Sequence, residues 1–547
     1  ELGVWNLDAA ARALMTGPAQ GDPLEQARAA VRLAPDLPAG QMALAQALWR
    51  QGDSPWAAAR TAFGALAAIP RHVQASLWFG GSLLFVLGLA LVAGGLWCIA
   101  LVGALSAGHA AHDLGDVLSP KAPSFARAAL LASMLLAPLA LGEGLVGICG
   151  VLLAIGVVYG EARQRFVLGL AAAVVVLGAF PVVRLAGTTL TVFSADPVTA
   201  AAFATAQGFT HPVDQLRIET AADSDELAAQ ALALRARRAG NLGQADALYQ
   251  ELLRSPDVEP AIQNNAANVR LNLGHMESAL AIYRDALEQK PNPIILFNLS
   301  QAHGRAFQVE ELSATLSEAQ RLDGDLVAEL TTLQGAELIG FVVDMPLDTH
   351  QIWRRILRSD AGERMAAEFR AILAPGWLGD RGTSALLASG TIAVFFAGLG
   401  GRVGRSRSCS RCGRRICPRC DTEPCVGTSC TRCTRLFQQT DTTDPELRLA
   451  RINELRERER RVEKGVVLAS FLVPGAAGLF AARPARSLLG SLFAATAVLA
   501  VVWRGGVVPD PLVAGASAPF AFLLLATVCL LGYAVTAILC LHIRRNL

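Results

Sequence analysis

Apolar residues in this chain come in long runs, with polar residues gathered between them. The runs Leu77 to Leu105, Ala128 to Gly160, Phe166 to Val192, Thr383 to Gly401, Leu488 to Trp503 and Pro519 to Leu541 approach or exceed the roughly 18 residues that suggest a membrane-spanning helix. Pro138 and the Gly142-Glu143-Gly144 step divide the second run. That predicts a tight helical hairpin with Glu143 at the far interface. The alternative is one kinked helix with Glu143 buried in it, and an intramembrane carboxylate would be functional by default. Val466 to Ala482 is broken by Pro474-Gly475, so it is expected to re-enter rather than cross, keeping Arg483 and Arg486 inside. Residues 106–127 predict a polar loop with His109, His112, Asp113 and Asp116. Such a set either binds a metal or forms an ordinary solvated turn beside the membrane.

Helical periodicity fills most of the remainder. Residues 27–35, 42–50 and 57–70 predict three helices in an N-terminal domain, 1–75. Residues 224–326 repeat themselves: Gly240 and Gly274, Ala245 and Ala279, and Tyr249 and Tyr283 each lie 34 residues apart. The glycine permits a sharp turn. The alanine lets two helices approach, and the tyrosine fills the groove to the next pair. Pro256 and Pro291 end the second helices. A third unit starts near Asn292, with Asn298 in step with Asn264 and Gln308 in the glycine position. The stretch from Leu338 to Leu347 predicts a strand or extended segment stopped by Pro346. His350 to Leu373 predicts one amphipathic helix, with Ile352, Trp353, Ile356, Leu357, Met365, Phe369 and Leu373 on one face. Pro445 to Lys464 predicts a solvated helix with Glu454/Arg458 and Glu457/Arg461 at i,i+4 spacing.

The pieces Gly-Asn-Leu-Gly-Gln-Ala-Asp-Ala-Leu-Tyr and Gly-His-Met-Glu-Ser-Ala-Leu-Ala-Ile-Tyr resemble the inter-helix turn and second helix of tetratricopeptide (TPR) repeats, whose length is about 34 residues. Arg32-Leu-Ala-Pro-Asp, with Ala-Leu-Trp-Arg-Gln-Gly-Asp after it, resembles a further repeat. The resemblance implies a stack of hairpins with a concave groove for an extended peptide or a partner helix. Asn264, Asn265, Asn268, Arg270, Asn298 and Gln301 would lie on the first helices that line it. Their side chains could hydrogen-bond a ligand's backbone, or form an ordinary solvated face.

Seven of the eleven cysteines fall between Cys409 and Cys433. Cys409/Cys412, Cys417/Cys420 and Cys430/Cys433 are Cys-x-x-Cys pairs, with Cys425 between the last two. This spacing lets two thiolates of one tight turn share a tetrahedral metal. Nine arginines between Arg402 and Arg435 favour the thiolate form. In an oxidising compartment the same residues would make a disulfide knot. No histidine lies in the segment, so a structural zinc is expected rather than a catalytic one. The order of the pairs resembles the cross-braced fingers of the FYVE and B-box type. The resemblance implies that Cys409, Cys412, Cys430 and Cys433 hold one zinc. Cys417 and Cys420 would belong to a second site whose other half should lie upstream, with Cys425 as a possible third ligand. The basic His-containing motif for phosphoinositide is missing, so lipid-headgroup binding is not carried over.

Net charge is only +2 over the 547 residues, but it is unevenly spread. Ser194 to Asp380 carries 15 Lys+Arg against 26 Asp+Glu, and Arg402 to Lys464 carries 16 against 9. The positive-inside tendency places the second block in the cytoplasm and the first outside. Four crossings between 76 and 193 would put 1–75 and 194–380 on one side, in agreement with a signal peptide cleaved ahead of Glu1. The expected order is therefore an N-terminal TPR-like domain (1–75), a transmembrane bundle (76–193), a TPR domain (194–380), a span (381–401), a zinc finger (402–440), a charged helix (441–464) and C-terminal membrane helices (465–547).

The fold class is mainly α, with multi-pass helices, helical repeats and a small zinc-binding finger. No nucleotide loop and no nucleophile–His–acid arrangement is visible, so a non-enzymatic assembly protein of a bacterial inner membrane is expected. Protein partners in the groove, membrane lipid and a larger complex are its expected associations. The competing classes are a transporter or channel-like subunit using Glu143, Arg184 and the loop histidines, and a nucleic-acid-binding anchor using the arginine-rich finger. Nucleic acid is not expected, since aromatics are not interleaved with the arginines.

Overall fold

The computed structural model describes residues 6–17, 21–52, 54–118, 123–140, 144–207, 211–256, 258–334, 341–347, 349–373, 391, 395, 405–409, 412–418, 429–438, 445–510 and 512–545. Two compact units emerge, one of Glu1–Gly80, Thr188–Ala361 and Asp510–Ser517, the other of Gly81–Gly187, Gly362–Pro509 and Ala518–Leu547. The N-terminal helices and the repeats thus fall in one unit.

The first unit opens with α1 (Asp8–Thr16), α2 (Pro23–Leu33), α3 (Pro38–Gln51) and α4 (Pro55–Ala68). The last three are the expected helices with shifted ends. Gly52 closes α3 at φ 77°, a conformation that costs glycine little. His72 Nε2 lies 2.8 Å from Asp8 Oδ2, both side chains buried. The loop from 510 to 517 joins this domain, where Ala39 N donates to Val513 O at 3.1 Å.

The repeats are helical hairpins. A hairpin of α10 (Pro197–Ala206) and α11 (Pro212–Ala221) precedes the three repeats, which are α12 (Glu226–Arg238) and α13 (Leu242–Leu252), α14 (Pro260–Asn272) and α15 (Met276–Gln289), then α16 (Pro293–Arg305) and α17 (Val309–Leu322), followed by α18 (Gly324–Gln334). Side chains of Asp196, Asp225 and Asn292 cap α10, α12 and α16, accepting from otherwise orphaned N–H groups. Ala245, Tyr249, Ala279 and Tyr283 are fully buried, as the 34-residue register predicts. Each tyrosine sits in the apolar cluster that joins one hairpin to the next first helix.

The third unit departs from the expected register. First helices begin at Glu226, Pro260 and Pro293, so the second interval is one residue short. Asn298 is therefore in step with Asn265, not Asn264. The left-handed turn residue is Gly240 (φ 82°), Gly274 (φ 84°) and then Phe307 (φ 59°), not Gln308.

The expected amphipathic helix is two, α19 (Thr349–Arg358) and α20 (Ala361–Leu373). Ser359 and Asp360 separate them, polar residues that compete with helical hydrogen bonding. Ile352 and Ile356 are buried beside Leu77 and Val192, whereas Leu357 is exposed. Arg355 clamps two caps together, its Nε 2.6 Å from Asp196 Oδ2 and its Nη2 2.6 Å from Asp225 Oδ2.

In the second unit, α20 packs Phe369 against Val92, Ala179 and Val183. The membrane-type helices are α5 (Val73–Leu118), α6 (Ser124–Ala140), α7 (Gly144–Tyr159), α8 (Ala162–Ala173) and α9 (Ala179–Ala195), the last two joined by a π-turn over Val174–Gly178. The expected loop after Leu105 is instead helical as far as Leu118. Ala107, Ala110, Ala111 and Leu114 keep good helix formers in the polar stretch. Ala110 also packs against Val151, Ile155 and Val158 of α7.

Further on come α22 (Pro445–Leu472), α23 (Ala476–Phe480), α24 (Pro484–Val502) and α25 (Ser517–Arg545), after the short α21 (Thr431–Gln438). The charged helix and Val466–Leu472 are thus continuous, and the break falls at Pro474-Gly475 as expected. Gly475 has φ 84°, and a Cβ there would lie 2.6 Å from Ser487 O. Trp97 Nε1 donates to Pro474 O at 2.9 Å, pinning this turn to α5. The side chains of Arg458 and Arg461 lie outside the described residues.

Among the described residues, four helical stretches are long and apolar enough to cross a membrane: Val73–Asp116, Ala162–Val192, Pro484–Val502 and Ser517–His542. The hairpin helices α6 and α7 have 17 and 16 residues. At 1.5 Å per residue each reaches about 25 Å, short of the ~30 Å hydrocarbon layer. The expected span 383–401 lies outside the described residues except Thr391 and Phe395, as does Glu143.

Candidate functional site

The cysteine block folds around a knuckle. Strands β1 (Arg407–Ser408) and β2 (Arg415–Ile416) pair antiparallel, with Arg407 opposite Ile416. Gly413 makes the turn at φ 67°, and Cys409 N donates to Arg414 O at 2.7 Å. Cys430 directly precedes α21, and Cys433 lies in its first turn. The Sγ atoms of Cys409, Cys412, Cys430 and Cys433 all lie within 4.8 Å of one another. Cys412 Sγ is 3.7 Å from Cys430 Sγ, and Cys430 N donates to Cys409 Sγ at 3.3 Å. Ile416 and Phe437 close the site with apolar surface.

These are the four residues that the FYVE and B-box resemblance pairs. A tight set of four cysteines could hold a metal ion. Burial, and then the neighbouring cysteines, push the Cys433 thiol far above its usual range. A divalent cation among the sulfurs offsets that cost of ionisation. Cys420 and Cys425 lie outside the described residues.

Cys417 stands apart from this set and faces α5. Its Sγ is 4.0 Å from Asp116 Oδ2. The polar stretch expected as a loop, with metal binding or a solvated turn as its alternatives, forms the last three turns of α5, and its residues meet the knuckle. His109 Nε2 lies 3.0 Å from Ser408 Oγ. Asp113 Oδ2 accepts from Ser406 N at 3.0 Å. Arg405 Nη1 donates to Val158 O at 2.9 Å. Sequence reasoning found both halves but could not join them across some 300 residues.

In the repeat unit, the asparagines expected to line a groove hold a segment of this same chain. Phe341–Leu347, in neither helix nor strand, lies against the first helices α14 and α16. Asn298 is bidentate on Val343: its Nδ2 donates to the carbonyl at 2.8 Å, and its Oδ1 accepts from the N–H at 2.8 Å. Asn265 treats Met345 likewise, at 2.7 and 2.6 Å. Asn264 and Asn268 each add a bond to Val343 O at 3.0 Å. Asn298 Nδ2 also donates to Asn264 Oδ1 at 2.8 Å, joining the side chains in a ladder. The Tyr283 hydroxyl donates to Asn268 Oδ1.

Val342, Val343 and Leu347 enter three separate apolar clusters. Asp344 is fully buried between Asn268, at 2.8 Å, and Arg237, at 3.7 Å. Burial pushes its carboxyl above the usual range, and Arg237 and Asn268 only partly offset this. Gln301 is buried one turn beyond Asn298. Arg270 turns instead to Asp246 on α13. The four asparagines are fully buried, so the solvated-face alternative does not describe them.

Of the remaining candidates, Arg184 pairs with Glu363 at 3.0 Å, both about half exposed. No protein-family model matches the chain, and a search of curated proteins finds no match.

Proposed function

We propose that this chain is a membrane-anchored TPR scaffold, an assembly subunit of a larger membrane complex. Its repeats hold protein partners outside the cytoplasm, and a structural zinc finger forms a second interaction module on the cytoplasmic side of a bacterial inner membrane. The observation that carries this reading is the asparagine ladder. Its side chains bind both backbone groups of alternate residues in an extended segment. That is the period of a strand, and it is how a groove recognises a peptide largely independently of sequence. The resident segment, 341–347, then occupies the groove until a partner of the same extended form displaces it.

Topology supports a shared side for the N-terminal domain and the repeats. The stretches Val73–Asp116 and Ala162–Val192 supply two crossings. The α6–α7 hairpin adds either none or two, so the parity is even both ways. The acidic 194–380 block outside and the basic 402–464 block inside follow the positive-inside tendency. Zinc is the proposed ion for Cys409, Cys412, Cys430 and Cys433, since four thiolates leave no open position for catalysis.

The test compares three proteins purified from native membranes with quantitative mass spectrometry of what accompanies them. Replacing Val342 and Leu347 with Asp removes the segment's apolar anchors while leaving the ladder intact, and should raise partner recovery. Adding Asn264→Leu and Asn298→Leu should abolish that gain. Equal recovery from all three would reject the groove as a partner site.

A further inference from the structure

The last turns of α5 and the cysteine knuckle carry a cluster that the four-cysteine set does not use. His112, Asp113, Asp116 and Cys417 are each at most 7% exposed. Ligand atoms of His112, Asp113 and Cys417 all lie within 4.8 Å of one another. His112 Nδ1 is 3.3 Å from Asp113 Oδ1 and 3.2 Å from Asp116 Oδ2, and Cys417 Sγ is 4.0 Å from the latter. Zn–N and Zn–O bonds of about 2.0–2.1 Å and a Zn–S bond of about 2.3 Å give tetrahedral edges of roughly 3.3–3.5 Å. The two nitrogen–oxygen separations already match these values. The sulfur, 4.0 Å from Asp116 Oδ2 and within 4.8 Å of the His112 and Asp113 ligand atoms, would draw closer on binding.

We propose that His112, Asp113 and Cys417 form a second structural metal site, for Zn²⁺, joining the end of α5 to the knuckle. One imidazole, one carboxylate and one thiolate make a donor set that suits zinc. The outer contacts hold the ligands in place. Ser406 N–H fixes Asp113 through Oδ2, which turns Oδ1 toward His112. Arg127 Nη2 lies 2.7 Å from Asp116 Oδ1, which sets Asp116 as the fourth ligand or as the group orienting His112. Cys417 follows Ile416 of β2 directly, so strand pairing delivers the sulfur to the helix. The site would thus receive ligands from two segments some 300 residues apart in sequence.

The test uses the full chain purified in detergent, with zinc counted by elemental analysis. Two zinc ions per chain are expected in the wild type. Both His112→Gln and Cys417→Ser should retain one. His112→Cys, which replaces one ligand with another, should restore the second, and a purely structural role for the histidine would not predict that. Cobalt substitution supplies a readout in the same samples: the intense thiolate-to-cobalt absorption of the four-cysteine set should survive His112→Gln and serve as the folding control. If that control is lost, Asp113→Asn takes the place of His112→Gln and should likewise lower the count from two to one. A wild-type count of one, or a count of two unchanged in the folded ligand variants, would overturn the site and leave a buried ion-pair cluster.

Discussion

The repeat unit and the cysteine knuckle hold their shapes by opposite means. In the repeats, Tyr249, Ile262, Tyr283 and Leu271 are buried in clusters that run from one hairpin to the next. Burial of each such side chain contributes about 1.5–3 kcal/mol, so no one contact decides the fold. Among its described residues the knuckle has two-residue strands, one eight-residue helix and little more than Ile416 and Phe437 for a core. There the metal ion proposed for the four cysteines would have to carry the stability. Distributed burial leaves a regular imprint on sequence, while ligand clusters depend on few residues from anywhere in the chain.

The sharpest test of that contrast is Cys430→Ser. A structural zinc site supplies on the order of 10 kcal/mol of folding free energy. The variant should release the ion of the four-cysteine set and expose amides of 405–438 to hydrogen exchange. Protection of 226–322 should not change. Loss of protection in both regions would break the comparison.

A smaller effect is expected at Asp344. Its folded pKa is raised by burial, so its contribution to stability is fully present below the unfolded value of about 3.9. That contribution fades as pH rises through the folded value. The melting temperature of the wild type relative to Asp344→Asn should therefore fall as pH increases from about 4 towards neutrality. A pH-independent difference would show that the carboxyl is not desolvated in the groove.

The smallest effect belongs to Phe307→Gly. Phe307 sits at φ 59° in a left-handed turn and is 89% exposed, so it gives up little contact. Relief of the steric cost should stabilise the repeats by up to about 1 kcal/mol. Chemical denaturation of the purified chain measures it, and a destabilised variant would point to an unrecognised contact of the ring.

These differences also explain what was legible in the sequence. Gly240, Gly274 and the two tyrosines announced the hairpins because each repeat must solve the same packing problem. The one-residue slip at Phe307 was hidden, since a non-glycine residue carries the turn there and Gln308 offered the matching spacing. Cys-x-x-Cys spacing made the pairs Cys409/Cys412, Cys417/Cys420 and Cys430/Cys433 legible, and the FYVE and B-box resemblance, not the spacing, implied that the first and last share one site. The approach of His112 and Asp113 to Cys417 was not, because no local period links residues 300 positions apart. The sequence places Asn264, Asn265, Asn268 and Asn298 on first helices, lining a groove or facing solvent, and reads Leu338 to Leu347 as a strand or extended segment. Nothing in either segment said that one would occupy the other.

That occupancy constrains how the sequence can drift. At positions 343 and 345 the groove uses only peptide N–H and C=O groups for its bidentate bonds, and every amino acid except proline supplies both. Proline is nonetheless present one position on, at Pro346, where it is exposed. There it biases Met345 toward the extended backbone that Asn265 requires. Met345 also packs against the cluster around Tyr283, so apolar substitutions there keep both the bidentate bonds and the packing, whereas moving the proline back by one position would remove a hydrogen bond outright.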